Sequence, residues 1–495
     1  MIWGVILFFA CCVLFFRLKF FKSSGINPSF ISILFALKLF SGICLLFIYT
    51  YFYEDRKTGD VFKYLDDSKI IWNYSKFNLI VYFKILFGID NANNDVISVL
   101  NCLDHWYLNS NANFITDSRL IIRFNLLLYP ISNGNQYIHL VLLGLWSFLG
   151  QVALYKTFAA LFNEKTKALI AVFFIPSFVF WSSGILKEGI LVGFLGFFTW
   201  YSYKLSQKIT FFNFIKLLVM WLGILFSKFY VAFCLISTVL NLFFQHLIKV
   251  KNNVIKFTSL GLVITAFTIF FFAFLNSSVK LLIEKQNQFI NVSKGGYFVE
   301  QFKDTIRIEY ELGNKIILFK KDSGYLDESL RGFAFVNLKD TKNIELKAGK
   351  KNSFRILKII IGAKSNIKIS EINDIRSLIK NLPEYISNVV LRPFPNETHN
   401  FFQLVNLIEN FAFIIAFIIC IIWFKKPKSV QLLWLISFLV FVFILYSLIG
   451  STTPVIGAIV RYKIPALPFL WLTIFVLIDE IKMQKFFKSV STKKI

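Results

Sequence analysis

Apolar runs of roughly 17 to 25 residues, each long enough to cross the hydrocarbon core of a bilayer, recur from one end of this chain to the other. Short polar segments separate them. The chain is 56% hydrophobic, with 62 Phe and only 17% charged residues, and so carries more apolar surface than one soluble core can bury. Lipid must be its main solvent. The expected architecture is an all-α polytopic membrane protein with about eleven transmembrane helices.

Expected spans fall at about residues 2–16, 30–53, 137–162, 168–184, 190–203, 212–226, 229–247, 257–275, 401–424 and 430–450, with a last one beginning near Phe469. Met1 to Phe16 has no basic leader and no small-residue cleavage site, so it reads as a first span rather than a removable signal. Arg17, Lys19 and Lys22 follow it, and Glu54 and Asp55 follow the second span. The positive-inside rule then places the N-terminus outside and the C-terminus inside. Lys249, Lys251 and Lys256, then Lys425, Lys426 and Lys428, and finally the Lys482–Lys494 tail all fall on the inner side of that scheme.

Three regions follow: residues 1–275, a transmembrane domain with a large external loop at 54–136; residues 276–400, an external insert; and residues 401–495, C-terminal helices with a basic cytosolic tail. Within the loop, Leu79 to Ile89 is too short to span and reads as an interfacial or re-entrant helix. Within the insert, TIRIEYEL, KIILFKK, FAFVNL, NIELK, FRILKIII and NIKIS predict a small β-rich unit over 296–370. Gly313 and Asn314 predict a tight turn between the first two strands, and residues 371–391 read as an amphipathic helix.

The formal charge is +26. Basic loop ends that orient spans and meet lipid headgroups account for such a surplus. No aromatic-basic RNA motif or helix-turn-helix pattern is present, so nucleic acid is not an expected partner. The cysteines at 11, 12, 44, 102, 234 and 420 form no disulfide framework, and the histidines at 105, 139, 246 and 399 lack metal-ligand spacing. No zinc site is expected. A Mg²⁺ or Mn²⁺ held by carboxylates is the one metal left open.

The densest polar cluster lies directly behind the second span, from Tyr53 to Asp67, with five carboxylates. Asp60, followed by Tyr64, is the candidate base, because partial burial would raise a carboxyl towards the working range. Asp66 and Asp67 are weaker candidates, and together with Asp60 they are the candidate ligands for a divalent ion. Arg119 and Arg123 lie four apart on a predicted helix and can face one phosphate. Arg123 to Gly134 also has the Arg, ten residues, Gly spacing of O-antigen polymerases.

Lys187 and Glu188 lie between two spans, where charge is costly unless it meets water, a headgroup or an opposite charge. Arg392, stiffened by the nearby prolines Pro393 and Pro395 and close to Glu397, can present a guanidinium to an anion. Glu409 lies within a span and should face protein or water rather than lipid. Arg461 and Lys463, in an expected external turn from 451 to 468, break the positive-inside trend and suit an anionic client.

Together, GD followed by Tyr in the first external loop, the many spans, the external insert and the late RYKIPALPF sequence resemble the GT-C superfamily of polyprenyl-phosphate-dependent glycosyltransferases and related bacterial envelope-polysaccharide proteins. The resemblance implies a sugar donor on a polyprenyl phosphate, Asp60 as base, and transfer outside a bacterial cytoplasmic membrane. A span precedes the usual first helix, and the loop has no clean Asp-X-Asp. An O-antigen or capsule-type polymerase and a non-enzymatic flippase of lipid-linked glycans are the alternative classes. The absence of a convincing internal repeat favours an enzyme over a transporter.

Overall fold

The computed structural model describes residues 2–51, 59–89, 93–103, 106, 117–249, 279–290, 293–301, 304–309, 315–320, 322–336, 340–363 and 365–492. Among the described residues, five helices are long and apolar enough to cross a membrane: Pro28–Tyr51, Gln136–Phe162, Phe401–Ile422, Ser429–Thr452 and Ile456–Leu477. Shorter apolar helices include Ile2–Arg17 and Phe211–Ser227. Ile33, Phe40, Ile415, Phe417 and Phe443 stand exposed on these elements, as side chains facing lipid tails do. The chain is thus a helical membrane protein carrying a small β-sheet.

The longest helix, Gln136–Phe162, packs against Lys187–Gln207. Glycine makes that approach possible: a Cβ on Gly196 would collide with the Gly150 carbonyl. Small residues at helix contacts are how membrane helices gain packing when lipid supplies no hydrophobic drive.

Two expected spans are broken. The 168–184 run forms Lys165–Phe173 and Pro176–Trp181, since Pro176 lacks the N–H that would continue the first helix and instead opens the second. The 229–247 run divides at Leu235 into Phe229–Cys234 and Ile236–Lys249. The expected external turn at 451–468 is also shorter than the sequence suggested. Helical structure resumes at Ile456, and Pro465 and Pro468 sit in first-turn positions where no N–H is needed. Arg461 and Lys463 therefore belong to a helical segment, not to a loop.

The expected span at 257–275, the basic residues Lys251 and Lys256, the acids Glu54 and Asp55, and the Gly313–Asn314 turn lie outside the described residues. Leu79–Phe87 is helical, capped by the Asn78 side chain and by left-handed Gly88. It buries Val81, Tyr82 and Ile85 and exposes Leu79, Ile80, Phe83 and Phe87. An apolar outer face of that kind suits a helix lying at an interface.

The insert contains a seven-stranded antiparallel sheet: β1 Gly295–Gln301, β2 Asp304–Glu309, β3 Ile316–Lys320, β4 Ser323–Leu326, β5 Leu330–Val336, β6 Asp340–Leu346 and β7 Phe354–Ile361. Their spatial order is β3-β4-β7-β1-β2-β5-β6. β2 pairs with β1 and β5, and β3 pairs with β4, so the hairpin expected between β2 and β3 does not form. NIKIS makes no strand; Asn366 instead forms a single bridge with Val455. The 371–391 segment is helical as two pieces, Ile375–Lys380 and Leu382–Leu391.

Several turns expected on one side of the membrane meet at one end of the molecule. Lys425 pairs with Glu164 at 3.3 Å, and Lys167 pairs with Glu480 at 3.1 Å. The Lys425 amide donates to Leu477 O, and the Asp479 amide donates to Trp423 O. The far ends of the same helices converge on Asp60, Glu188 and Arg461.

Candidate functional site

Asp60 is the first residue of the Asp60–Ser75 helix, where a carboxylate is favoured by the helix dipole. Arg461 lies in the last turn of Ile456–Tyr462, where a cation is favoured for the same reason. The two side chains pair directly, Arg461 Nη1 donating to Asp60 Oδ2. On its other edge Arg461 meets Glu188, with Nη2 to Oε2 and Nε to Oε1 both at 2.9 Å. Lys228 closes the chain, its Nζ 3.0 Å from Glu188 Oε1.

Burial differs along this chain of charges. The Glu188 and Lys228 side chains are 2% and 4% exposed, Arg461 is 13% and Asp60 27%. The inner pair is therefore sealed while the outer one reaches solvent. Aromatic rings enclose the cations: Lys228 lies 4.4 Å from the Tyr462 ring centroid and Arg461 5.9 Å from that of Trp181.

Burial by itself would raise the Asp60 carboxyl, but Arg461 and then Lys63, 3.2 Å away, outweigh it and hold Asp60 below the usual carboxylate range. The raised value expected from sequence is thus corrected. The reason is the guanidinium, which no local pattern around Asp60 announces.

Asp60 and Arg461 both line a cleft of about 510 Å³. Leu45, Ile48 and Tyr49 come from the end of one spanning helix, Phe180 and Trp181 from the break before Glu188, and Asn400, Gln403 and Asn406 from the start of another. Ser365 enters from the insert, held there because Ser365 O accepts from the Ile456 amide at 3.1 Å. The volume and the mixture of apolar wall with few polar groups match ordinary ligand sites.

Only some of the sequence candidates meet here. Tyr64 is buried beneath Lys187, whose Nζ is 4.8 Å from its ring centroid and 3.3 Å from Ser118 Oγ. Asp66 and Asp67 share the Asp60 helix but lie six and seven residues on, about 9 to 10.5 Å along the axis, too far to share one ion with Asp60. No cluster of three or more His, Cys, Asp or Glu residues fit to hold a metal occurs among the described residues.

Arg119 and Arg123 do lie side by side, yet both guanidiniums stack on Trp106, at 5.6 and 5.2 Å. Arg123 also donates to Ile85 O at 3.1 Å. Burial, then the neighbouring Arg119, lowers Arg123 to about 10. Neither arginine lines the cleft. Arg392 is likewise elsewhere: it pairs with Glu397 and donates to Asn388 Oδ1 at 2.9 Å, so its charge is met locally.

Glu409 faces protein, as expected: it is buried, and its Oε2 accepts from the Ser177 amide at 2.9 Å. Lys463 is buried too and turns away from Arg461, donating to Asn410 Oδ1 at 3.2 Å. Glu409, Asn410 and Lys463 line a separate small recess with Tyr446. Residues two apart on this segment thus serve different places.

Lys228 was not among the sequence candidates. Its signal was a lone cation between two apolar runs, the same signal that marked Glu188. Trp181, Gln403 and Asn406 carried none, because their place in the cleft depends on tertiary packing. No family model, no curated protein and no solved structure matches the chain.

Proposed function

We propose that the protein is a membrane glycosyltransferase of GT-C type, acting at the external face of a bacterial cytoplasmic membrane on a sugar carried by a polyprenyl phosphate. One observation carries this reading: a carboxylate and an arginine from distant segments are paired at the mouth of a cleft bordered by membrane helices. With the N-terminus placed outside, as we propose, Asp60, Glu188 and Arg461 lie at the outer ends of their helices. No nucleotide sugar is available there, so the donor must be lipid-borne.

In this reading the acceptor oxygen attacks the anomeric carbon and the bond from that carbon to the phosphate oxygen breaks. The bonding pair leaves on phosphate, where Arg461 meets the developing charge. The acceptor proton passes to Asp60. Among the described residues, Lys63, Lys228 and Arg461 make ion pairs with Asp60 and Glu188, three cations against two carboxylates, and Lys187 adds to the positive field at Asp60. The surplus cation suits an anion, and phosphate arriving at Arg461 frees Asp60 from its ion pair for the acceptor hydroxyl. Glu188 and Lys228 position Arg461 from behind.

The test is genetic. Deletion should remove a glycan from the cell envelope, wild-type protein should restore it, and Asp60→Asn, expressed at the same level, should not. Normal glycan in the Asp60→Asn strain would remove Asp60 from the mechanism. Loss of chain length with single repeat units retained would point to a polymerase instead.

A further inference from the structure

Asn400, Gln403 and Asn406 recur every three residues along one face at the start of the Phe401–Ile422 helix, and all three line the cleft. Their acceptor oxygens are already used. Asn400 Oδ1 caps the helix by accepting from the Gln403 amide at 2.9 Å, and Gln403 Oε1 accepts from the His399 amide at 2.7 Å. Asn406 is satisfied at both ends, by Ser177 Oγ at 2.8 Å and Phe402 O at 2.8 Å.

Two NH₂ groups are left over. Because backbone N–H groups can bond only to the oxygen side of an amide, the orientations of Asn400 and Gln403 are settled. Their NH₂ groups have no partner among the described residues. Asn400 and Gln403 border the same space as Trp181, Phe402 and Arg461.

A sugar presents hydroxyl oxygens at its edge, C–H groups on its faces and, when carried on a lipid phosphate, an anion beside them. Amide donors, aromatic faces and a guanidinium answer those features in turn. We propose that Asn400 and Gln403 form a hydroxyl-recognition shelf for the sugar, next to the phosphate held by Arg461. This rests on the lipid-phosphate reading of the cleft. Asn406, with both amide groups engaged, braces the wall and does not read the ligand.

The test uses the full chain in lipid nanodiscs. The probes are farnesyl phosphate and its glucosyl, galactosyl and N-acetylglucosaminyl derivatives, with phosphatidylglycerol as competitor. Wild-type protein should bind at least one glycosylated probe about tenfold more tightly than farnesyl phosphate, the size expected for two neutral hydrogen bonds. Asn400→Ser keeps a capping oxygen and removes one NH₂ group, leaving only a shorter hydroxyl; Gln403→Met removes the other NH₂ group. The double variant should lose the preference for sugar while binding bare farnesyl phosphate within about twofold of wild type.

Binding of farnesyl phosphate with no preference for any glycosylated probe would overturn the shelf and leave the phosphate reading standing. A preference that survives in the double variant would also overturn it. No saturable binding of farnesyl phosphate by wild type would overturn both. Displacement of the glycosylated probe by equal phosphatidylglycerol would assign the shelf to a phospholipid headgroup and reject the sugar.

Discussion

The guanidinium of Arg461 joins Asp60 to Glu188, taking one carboxylate on each side. Asp60 is partly exposed at the cleft, whereas Glu188 is sealed beneath it with Lys228. The same cation therefore has a replaceable partner and a permanent one.

A competitor for Arg461 should feel the loss of Asp60. Asp60→Asn is expected to bind farnesyl phosphate several-fold more tightly than wild type near neutral pH, since one anion no longer opposes phosphate, while forming no product. Arg461→Gln should lose binding by tenfold or more. Titration of the two variants in nanodiscs checks both, and weaker binding by Asp60→Asn would show that the carboxylate does not compete.

The pH dependence has a definite sign. The folded-state value of Asp60 lies below its ordinary value because Arg461 and Lys63 outweigh its burial, so its contribution to stability is present above the unfolded pKa and is lost as pH falls through the folded one. The difference in thermal stability between wild type and Asp60→Asn should be flat from about pH 8 to about pH 5 and shrink below about pH 4. A difference that changes between pH 6 and 8 would locate another titrating group at the site.

Glu188 and Lys228 form a sealed pair, and removing Glu188 strands the Lys228 charge and leaves Arg461 with Asp60 alone. Glu188→Gln is expected to destabilise the fold by about 3 to 5 kcal/mol, and Lys228→Met to do less harm, because Arg461 still meets Glu188. The double variant should recover much of the loss, because two neutral side chains replace a matched pair. A double-variant cycle in detergent by thermal melts measures this coupling.

Arg392 and Glu397 neutralise each other away from the cleft. The double variant Arg392→Ala/Glu397→Ala should keep glycan product within about twofold of wild type. Comparison of envelope glycans from this strain and from Arg461→Gln separates the two arginines that the sequence had treated alike.

Much of the helical architecture was legible because lipid imposes length and hydropathy on each span. Pro28–Tyr51, Gln136–Phe162, Phe401–Ile422 and Ser429–Thr452 fall close to their expected places. The breaks at Ile175 and Leu235 were not legible, since an apolar run reads alike whether its helix is continuous or divided. In the sheet, period-two patterns located β2, β3, β5, β6 and β7. They missed the glycine-bearing β1 and β4 and could not order the strands, because pairing is set by distant partners.

At the site, the cost of charge near a membrane pointed to Asp60, Glu188 and Arg461 one by one. Their convergence is a tertiary fact, and so is the exclusion of Arg119, Arg123, Arg392 and Lys463. Trp106 claims Arg119 and Arg123, and Val389 O claims Lys463, from other parts of the chain, whereas Glu397 claims Arg392 from five residues away.

Photo-crosslinking locates the lipid phosphate most directly. A benzophenone-bearing polyprenyl phosphate, irradiated with the protein in nanodiscs and mapped by mass spectrometry, should attach within residues 45–49, 180–181, 400–406 and 455–462, and attachment should be lost in Arg461→Gln. Adducts confined to the surroundings of Trp106 or Arg392, or unchanged labelling in Arg461→Gln, would contradict the assignment of the cleft.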